Sequence, residues 1–149
     1  MPYPEMLVAP MRQDLVQLGF QQLQSASEVD EVLGDTQEST LLVVNSVCGC
    51  AAGALRPAVA LSLTDELSPR PARLTTVFAG QDLDATERAR TYLTGYPPSS
   101  PAVALLKKGE LVFMLERHQI EGYGPDMIAT VLKNAYEEYC EAGNPPTTR

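Results

Sequence analysis

The chain has no tryptophan, one histidine, and only six tyrosines and three phenylalanines among 149 residues. That leaves little material for stacking on nucleic-acid bases or sugars. Cations are scarce too: eleven Lys and Arg face nineteen Asp and Glu, for a formal charge of −8. A phosphate backbone needs a basic face and an anionic bilayer repels an acidic one, so neither nucleic acid nor membrane is an expected partner. No apolar run approaches the length of a membrane span, and Met1-Pro2-Tyr3-Pro4-Glu5 lacks a basic segment followed by an apolar one. A soluble, cytoplasmic protein is the expectation. Cysteine is sparse as well. Three is an odd number, and two of the three lie two positions apart, unlike a secreted disulfide framework.

What is present is globular in balance, with 44% hydrophobic and 20% charged residues. No repeat or dividing linker is visible, so residues 1–149 are expected to form one domain. Residues 1–10 read as an extended lead-in and 143–149 as a frayed, Pro- and Thr-rich tail. A short helix over 11–18 and a weak strand over 20–24 come first. Ser25-Ala26-Ser27-Glu28 then has capping-box spacing, opening a helix that Gly34 ends. The nearly all-apolar run 40–46 reads as a strand covered on both faces. Residues 50–67 carry a helical pattern that Pro57 should kink.

A strand is expected over 74–79, followed by a helix opened by Asp84-Ala85-Thr86-Glu87 and closed by Gly95. Strands over 102–106 and 111–115 flank the turn Lys107-Lys108-Gly109-Glu110 as an antiparallel hairpin. Pro125 starts the clearest helix, with Ile128, Val131, Leu132, Ala135, Tyr136 and Tyr139 as its apolar stripe. The order αβαβαβαββα predicts right-handed parallel crossovers closed by an antiparallel edge. That is an α/β, thioredoxin-like arrangement: a mixed central sheet, helices on both faces, and an extra N-terminal helix.

The chemistry concentrates at Val47-Cys48-Gly49-Cys50-Ala51, where a strand hands over to a helix. A helix N-terminus exposes unpaired N–H groups and the positive end of the dipole, both favouring thiolate over thiol. Residues i and i+2 of a regular helix point roughly 200° apart. Cys48 must therefore lie outside the helix for its sulfur to meet that of Cys50, with Gly49 supplying an unusual backbone angle. Cys48 is the better attacking thiolate and Cys50 the better resolving thiol. The nearest charge along the chain is Arg56, which leaves the helix N-terminus to do most of the activation.

Other candidates surround the pair. Asn45 and Ser46 could hold a polar ligand beside Cys48, or simply cap the strand end. Pro97-Pro98-Ser99-Ser100-Pro101 is either a plain proline-rich loop or, with a cis bond before Pro101, a place where the Ser100 backbone pairs with a substrate. His118 is either a proton shuttle or a solvated loop residue. Cys140 reads as a helix residue at the core edge. Cys48, Cys50, Cys140 and His118 could in principle bind a metal, but their spacing matches no common zinc pattern and no metal is expected. A non-enzymatic metal-binding or redox-sensing module is the competing reading.

These segments resemble the bacilliredoxins, thioredoxin-like bacterial proteins with a Cys-Gly-Cys active site. The likeness runs through Val43-Val44-Asn45-Ser46-Val47-Cys48-Gly49-Cys50-Ala51-Ala52-Gly53, Thr76-Val77-Phe78-Ala79-Gly80-Gln81-Asp82, Pro98-Ser99-Ser100-Pro101, Arg117-His118, Ile120-Glu121-Gly122 and the opening Val8-Ala9-Pro10-Met11-Arg12. The resemblance implies a thiol–disulfide oxidoreductase acting on mixed disulfides between protein cysteines and bacillithiol or a similar low-molecular-weight thiol. It implies Cys48 as nucleophile, with Cys50 or else a second thiol resolving the adduct. Asn45, Ser46, Gly49, Ser100 and Pro101 are then the expected substrate contacts. S-thiolated proteins are the implied partners, weak disulfide isomerase activity is an accompaniment, and no cofactor is expected beyond the thiol pair and its co-substrate.

Overall fold

The computed structural model describes residues 3–34 and 38–141. Its first element differs from the expected extended lead-in: α1 runs over Glu5–Val16, with Pro10 inside it. Pro10 has no N–H to bond to the Met6 carbonyl, yet both residues lie on the solvent face, where water can serve that carbonyl. The opposite face, Val8, Arg12 and Leu15, is buried. The expected tail, 143–149, lies outside the described residues.

The elements that follow are β1 (Gln21–Gln22), α2 (Ala26–Leu33) and β2 (Thr40–Asn45). The Ser25 hydroxyl accepts from the Glu28 N–H at 3.2 Å, and the Glu28 carboxylate accepts from the Gln24 N–H at 2.9 Å. The capping signal was therefore legible, displaced by one residue on its return bond. After β2 the chain becomes helical at Gly49, is wound as a π-helix over Ala51–Leu55, and continues as α3 (Arg56–Ser62). The ring of Pro57 would strike the carbonyl four residues back in a regular helix, and the wider π-turn ahead of it makes room. Where a kink was expected, the helix carries this π-helical stretch.

Helix α3 also stops short of residue 67. Thr64 Oγ1 donates to the Leu61 carbonyl at 3.0 Å, and the Asp65 carboxylate accepts the Leu67 N–H at 3.0 Å. Short polar side chains here compete for the backbone groups a helix would use.

Strand β3 (Arg73–Phe78), α4 (Leu83–Arg90), β4 (Ala102–Lys107) and β5 (Glu110–Leu115) come next. The β4–β5 turn places Lys108 at φ 56° and Gly109 at φ 76°, the double left-handed conformation of a tight hairpin. A one-turn helix α5 (Arg117–Ile120) replaces the expected loop, and α6 (Pro125–Tyr139) closes the fold. On α6, Ala129 is buried and Val131 exposed, so the apolar stripe is rotated slightly from the expected one.

The sheet order is β1-β3-β2-β4-β5. β1, β3 and β2 are parallel; β4 runs antiparallel to β2, and β5 to β4. Alternate residues divide the core between the two faces. Leu41, Val43, Val103 and Leu105 pack with α1, α3 and α6; Leu42, Val44, Ala104 and Leu106 pack with α2 and α4. Each of these leucines and valines contributes about 1.5–3 kcal/mol when fully buried. The buried threonines of β3 are satisfied across the ladder, Thr75 Oγ1 donating to the Leu41 carbonyl and Thr76 Oγ1 to the Val43 carbonyl, at 2.8 and 2.7 Å. Among the described residues no helix is long and apolar enough to cross a membrane.

Candidate active site at the end of the central strand

Strand β2 is apolar until Asn45, where its character changes. The Asn45 carboxamide is buried and satisfied by protein: Nδ2 donates to the Met11 carbonyl at 3.1 Å, and Oδ1 accepts the Ser46 N–H at 2.9 Å. Oδ1 also accepts from Arg56 Nη1 at 2.9 Å. The same Nη1 donates to the Ser46 carbonyl at 3.0 Å, while Arg56 Nε pairs with Asp14 at 3.0 Å. Ser46 Oγ in turn accepts the Cys48 N–H at 2.8 Å. This chain of contacts joins α1, the end of β2 and α3 beneath Cys48. Asn45 and Ser46, expected as ligand contacts, are instead turned inward and orient the residue that follows them, because both side chains are buried and engaged.

Cys48 lies in a bend before the helix, and its carbonyl accepts the Ala51 and Ala52 N–H groups at 3.0 and 3.3 Å. The two half-buried thiols are free, with their sulfurs 2.8 Å apart. Gly49 does not supply the expected unusual angle. It is helical, its φ lies outside the left-handed region, and a Cβ there would meet nothing within 4 Å. The sulfurs meet because Cys48 precedes the helix while Cys50 is inside it.

The thiols are driven in opposite directions. The hydrogen bond from Cys50 holds the Cys48 thiol below the ordinary range, against a desolvation that raises it. The N–H groups of Cys50 and Ala51 and the charge of Arg117 assist the lowering. Burial pushes Cys50 up, and its bond to Cys48, the charge of Cys48 and that of Glu121 push it further. The helix N-terminus was expected to do most of the lowering; it contributes through two N–H groups, but the hydrogen bond between the two sulfurs is the larger influence.

Arg117 was not visible as a neighbour in the sequence. Its N–H donates to Ser99 Oγ at 2.8 Å, its Nη1 to the Ser100 carbonyl at 3.3 Å, and its Nε lies 3.3 Å from Glu121. The Ser100–Pro101 bond is cis. Because Ala102 pairs with Val44, Pro101 lies level with the end of β2, one strand over from the thiols. His118, read as either a proton shuttle or a solvated loop residue, lies on α5 and follows Arg117 by about 100° around the helix. It is exposed and lines a cavity with Leu115, Tyr123 and Met127.

Cys140 caps the C-terminal end of α6; burial pushes its thiol up, opposed by the neighbouring Ser39 hydroxyl. Ser39 precedes β2 and Cys48 follows it, so a six-residue strand separates Cys140 from the thiol pair. At about 3.3 Å per residue that is close to 20 Å, too far for shared ligation. Among the described residues, no group of three His, Cys, Asp or Glu is placed to hold a metal ion.

Comparison with known proteins agrees with this architecture. A family model described as Disulphide isomerase matches residues 3–140. A bacilliredoxin of Salinibacter ruber is 52% identical over 98% of this chain and 86% of its own length. A bacilliredoxin of Cytophaga hutchinsonii is 52% identical over 91% of this chain and 98% of its own. Among solved structures, oxidized thioredoxin O2 from Arabidopsis thaliana superposes with a TM-score of 0.50 at 17% identity, over 78% of this chain and 94% of that one. That likeness establishes the thioredoxin-like fold. With a thiol pair at the strand–helix junction and this extent of similarity, the chain belongs to the bacilliredoxin family and is a thiol–disulfide oxidoreductase.

Proposed function

We propose that the protein strips a low-molecular-weight thiol, bacillithiol or one like it, from S-thiolated cytoplasmic proteins. The observation that carries this reading is the pair of sulfurs 2.8 Å apart with oppositely directed acidities. The Cys48 thiolate attacks the small-thiol sulfur of the mixed disulfide. A Cys48–small-thiol disulfide forms, the original bond breaks, and the protein cysteine leaves as a thiolate that takes a proton from solvent.

Cys50 then loses its proton and attacks the Cys48 sulfur. A Cys48–Cys50 disulfide forms and the small thiol is released, so the two electrons given to the substrate have come from the pair. An external dithiol or two small thiols must return them. No cofactor enters this sequence. The match to the Disulphide isomerase family supports disulfide isomerisation as an accompanying activity, by the same attack on a protein disulfide.

The test uses purified Cys48→Ser and Cys50→Ser proteins with a carrier protein bearing bacillithiol, glutathione or coenzyme A as a mixed disulfide. Intact mass should show the small thiol accumulating on Cys48 in Cys50→Ser, largest for bacillithiol, and no transfer in Cys48→Ser. Undiminished removal by Cys48→Ser overturns the mechanism. Equal transfer of all three thiols overturns the substrate.

A further inference from the structure

We propose that Arg117 selects mixed disulfides whose small-thiol half carries a carboxylate. This rests on the thiol-transfer reading above and adds the chemistry by which the small thiol is recognised. Three arginines bear on this end of the sheet. Arg12 is buried and committed to Asp82 at 2.8 Å and Glu5 at 2.9 Å. Arg56 is buried and committed to Asp14, Asn45 and Ser46. Arg117 alone of the three is open to solvent, with its side chain 45% exposed.

Its position is fixed by the fold. The Arg117 N–H is held by Ser99, its Nη1 by the Ser100 carbonyl, and β4 then runs beside β2 to bring that corner level with Asn45. The guanidinium charge reaches both thiols. Its other partner, Glu121, is an exposed carboxylate one turn on, with its side chain 53% exposed. Exposed pairs of this kind are weak and exchange readily with another anion. A guanidinium offers five N–H donors in a fork that fits a carboxylate, so donors remain for a ligand.

The rest of the chain makes this placement consequential. At a formal charge of −8 the surface repels anions at long range. An anionic small thiol therefore needs a local cation at the sulfurs to be preferred over a neutral one. Both thiols are half-buried rather than sealed, and a Cβ on the Gly49 between them would meet nothing outside its chain neighbours.

The experiment uses one reporter peptide carrying the same cysteine as a mixed disulfide with mercaptopropionate, mercaptoethanol or cysteamine. These probes are alike in size and differ in charge. Second-order rates of transfer to Cys48 are each divided by the rate with free dithiothreitol, which removes intrinsic reactivity. The wild type should favour the mercaptopropionate form over the cysteamine form by about tenfold, declining at high salt. Arg117→Gln should bring the ratio near unity, Arg117→Glu should invert it, and Arg117→Lys should keep part of it. Glu121→Gln should raise it by freeing the guanidinium. The ratio, not the rate, is the readout, so a general loss of activity through disturbed packing does not mimic the effect. An identical ratio in wild type and Arg117→Gln overturns the inference while leaving thiol transfer intact. A wild type that attacks none of the three faster than an ordinary thiol overturns both.

Discussion

Replacing Arg56 with methionine tests whether the contacts beneath Cys48 hold the site together. Methionine keeps the aliphatic length of the side chain and removes its donors. Three contacts are lost: to Asp14, to Asn45 Oδ1 and to the Ser46 carbonyl. They are unequal. Asp14 is half exposed and returns to water, so its loss costs little. Asn45 Oδ1 keeps the Ser46 N–H as a partner, but the buried Ser46 residue loses the guanidinium from its carbonyl.

Hydrogen bonds from a charged donor are worth roughly 1.5–3 kcal/mol each, and two are lost inside the protein. Part is returned because a guanidinium no longer has to be desolvated. The net destabilisation is about 3 kcal/mol, a sizeable share of the roughly 5–15 kcal/mol that holds a domain together. With a urea slope of about 2 kcal/mol/M the midpoint should fall by about 1.5 M. Asp14→Asn is the control and should move it by less than about 0.3 M. The reasoning is refuted if Arg56→Met stays within about 0.3 M of wild type. It is also refuted if Asp14→Asn costs as much as Arg56→Met, which would place the energy in the surface ion pair.

Cys50→Ala removes the largest influence lowering the Cys48 thiol, so the inflection of iodoacetamide labelling against pH should move up toward the ordinary value near about 8.5, and labelling at neutral pH should slow; an unmoved inflection contradicts the assignment. The same acidities shape stability. A depressed Cys48 pKa adds stability as pH rises from that pKa to the ordinary thiol range, and a raised Cys50 pKa removes stability as pH climbs from the ordinary range through it. Thermal midpoints across that span should therefore rise and then fall, and Cys48→Ser should lack the rise. Also on α1, the buried Arg12 guanidinium is left by Asp82→Ala without its two 2.8 Å contacts, at a cost of about 3–5 kcal/mol. A fall in Tm of about 10 °C is expected, and one under about 3 °C would show that Glu5 and Gln22 suffice to hold Arg12.

Most of the sheet was legible because its signals are local. The run ending at Asn45, the turn at Lys108-Gly109 and the stripe on α6 each announce themselves within one element. Two misreadings also have local causes. Pro10 argued for a helix start, yet a proline on a solvent face sits inside α1 with one bond forgone. The helix α5 is hard to see in the sequence because its capping box uses glutamate: Glu116 accepts from the Gln119 N–H, and the Glu116 N–H donates to Gln119 Oε1 at 2.9 Å. The spacing Glu-x-x-Gln after a strand was the available signal. The site was legible in its sulfurs and opaque in its charges. Arg56 is near Cys48 along the chain but lies beneath it, among Asn45, Ser46 and Asp14. Arg117 is distant along the chain but arrives through the β4–β5 hairpin. Only strand order reveals such a juxtaposition.

The opposed acidities of the two thiols also explain how one short segment can run two steps in order. In the resting pair, the Cys50 proton is held on the bond to Cys48, which keeps Cys48 reactive and Cys50 quiet. Under the proposed reaction, Cys48 spends its negative charge in forming the mixed disulfide. Two of the influences raising Cys50, the hydrogen bond and the charge of Cys48, end at that moment. Burial and Glu121 remain, while Arg117 is relieved of one anion and acts more fully on the other. Cys50 thus becomes easier to ionise only after there is a disulfide for it to attack. Burial, which persists throughout, still opposes that ionisation. Under the same reaction, a more exposed second thiol would meet less opposition to ionising, and a more deeply buried one more.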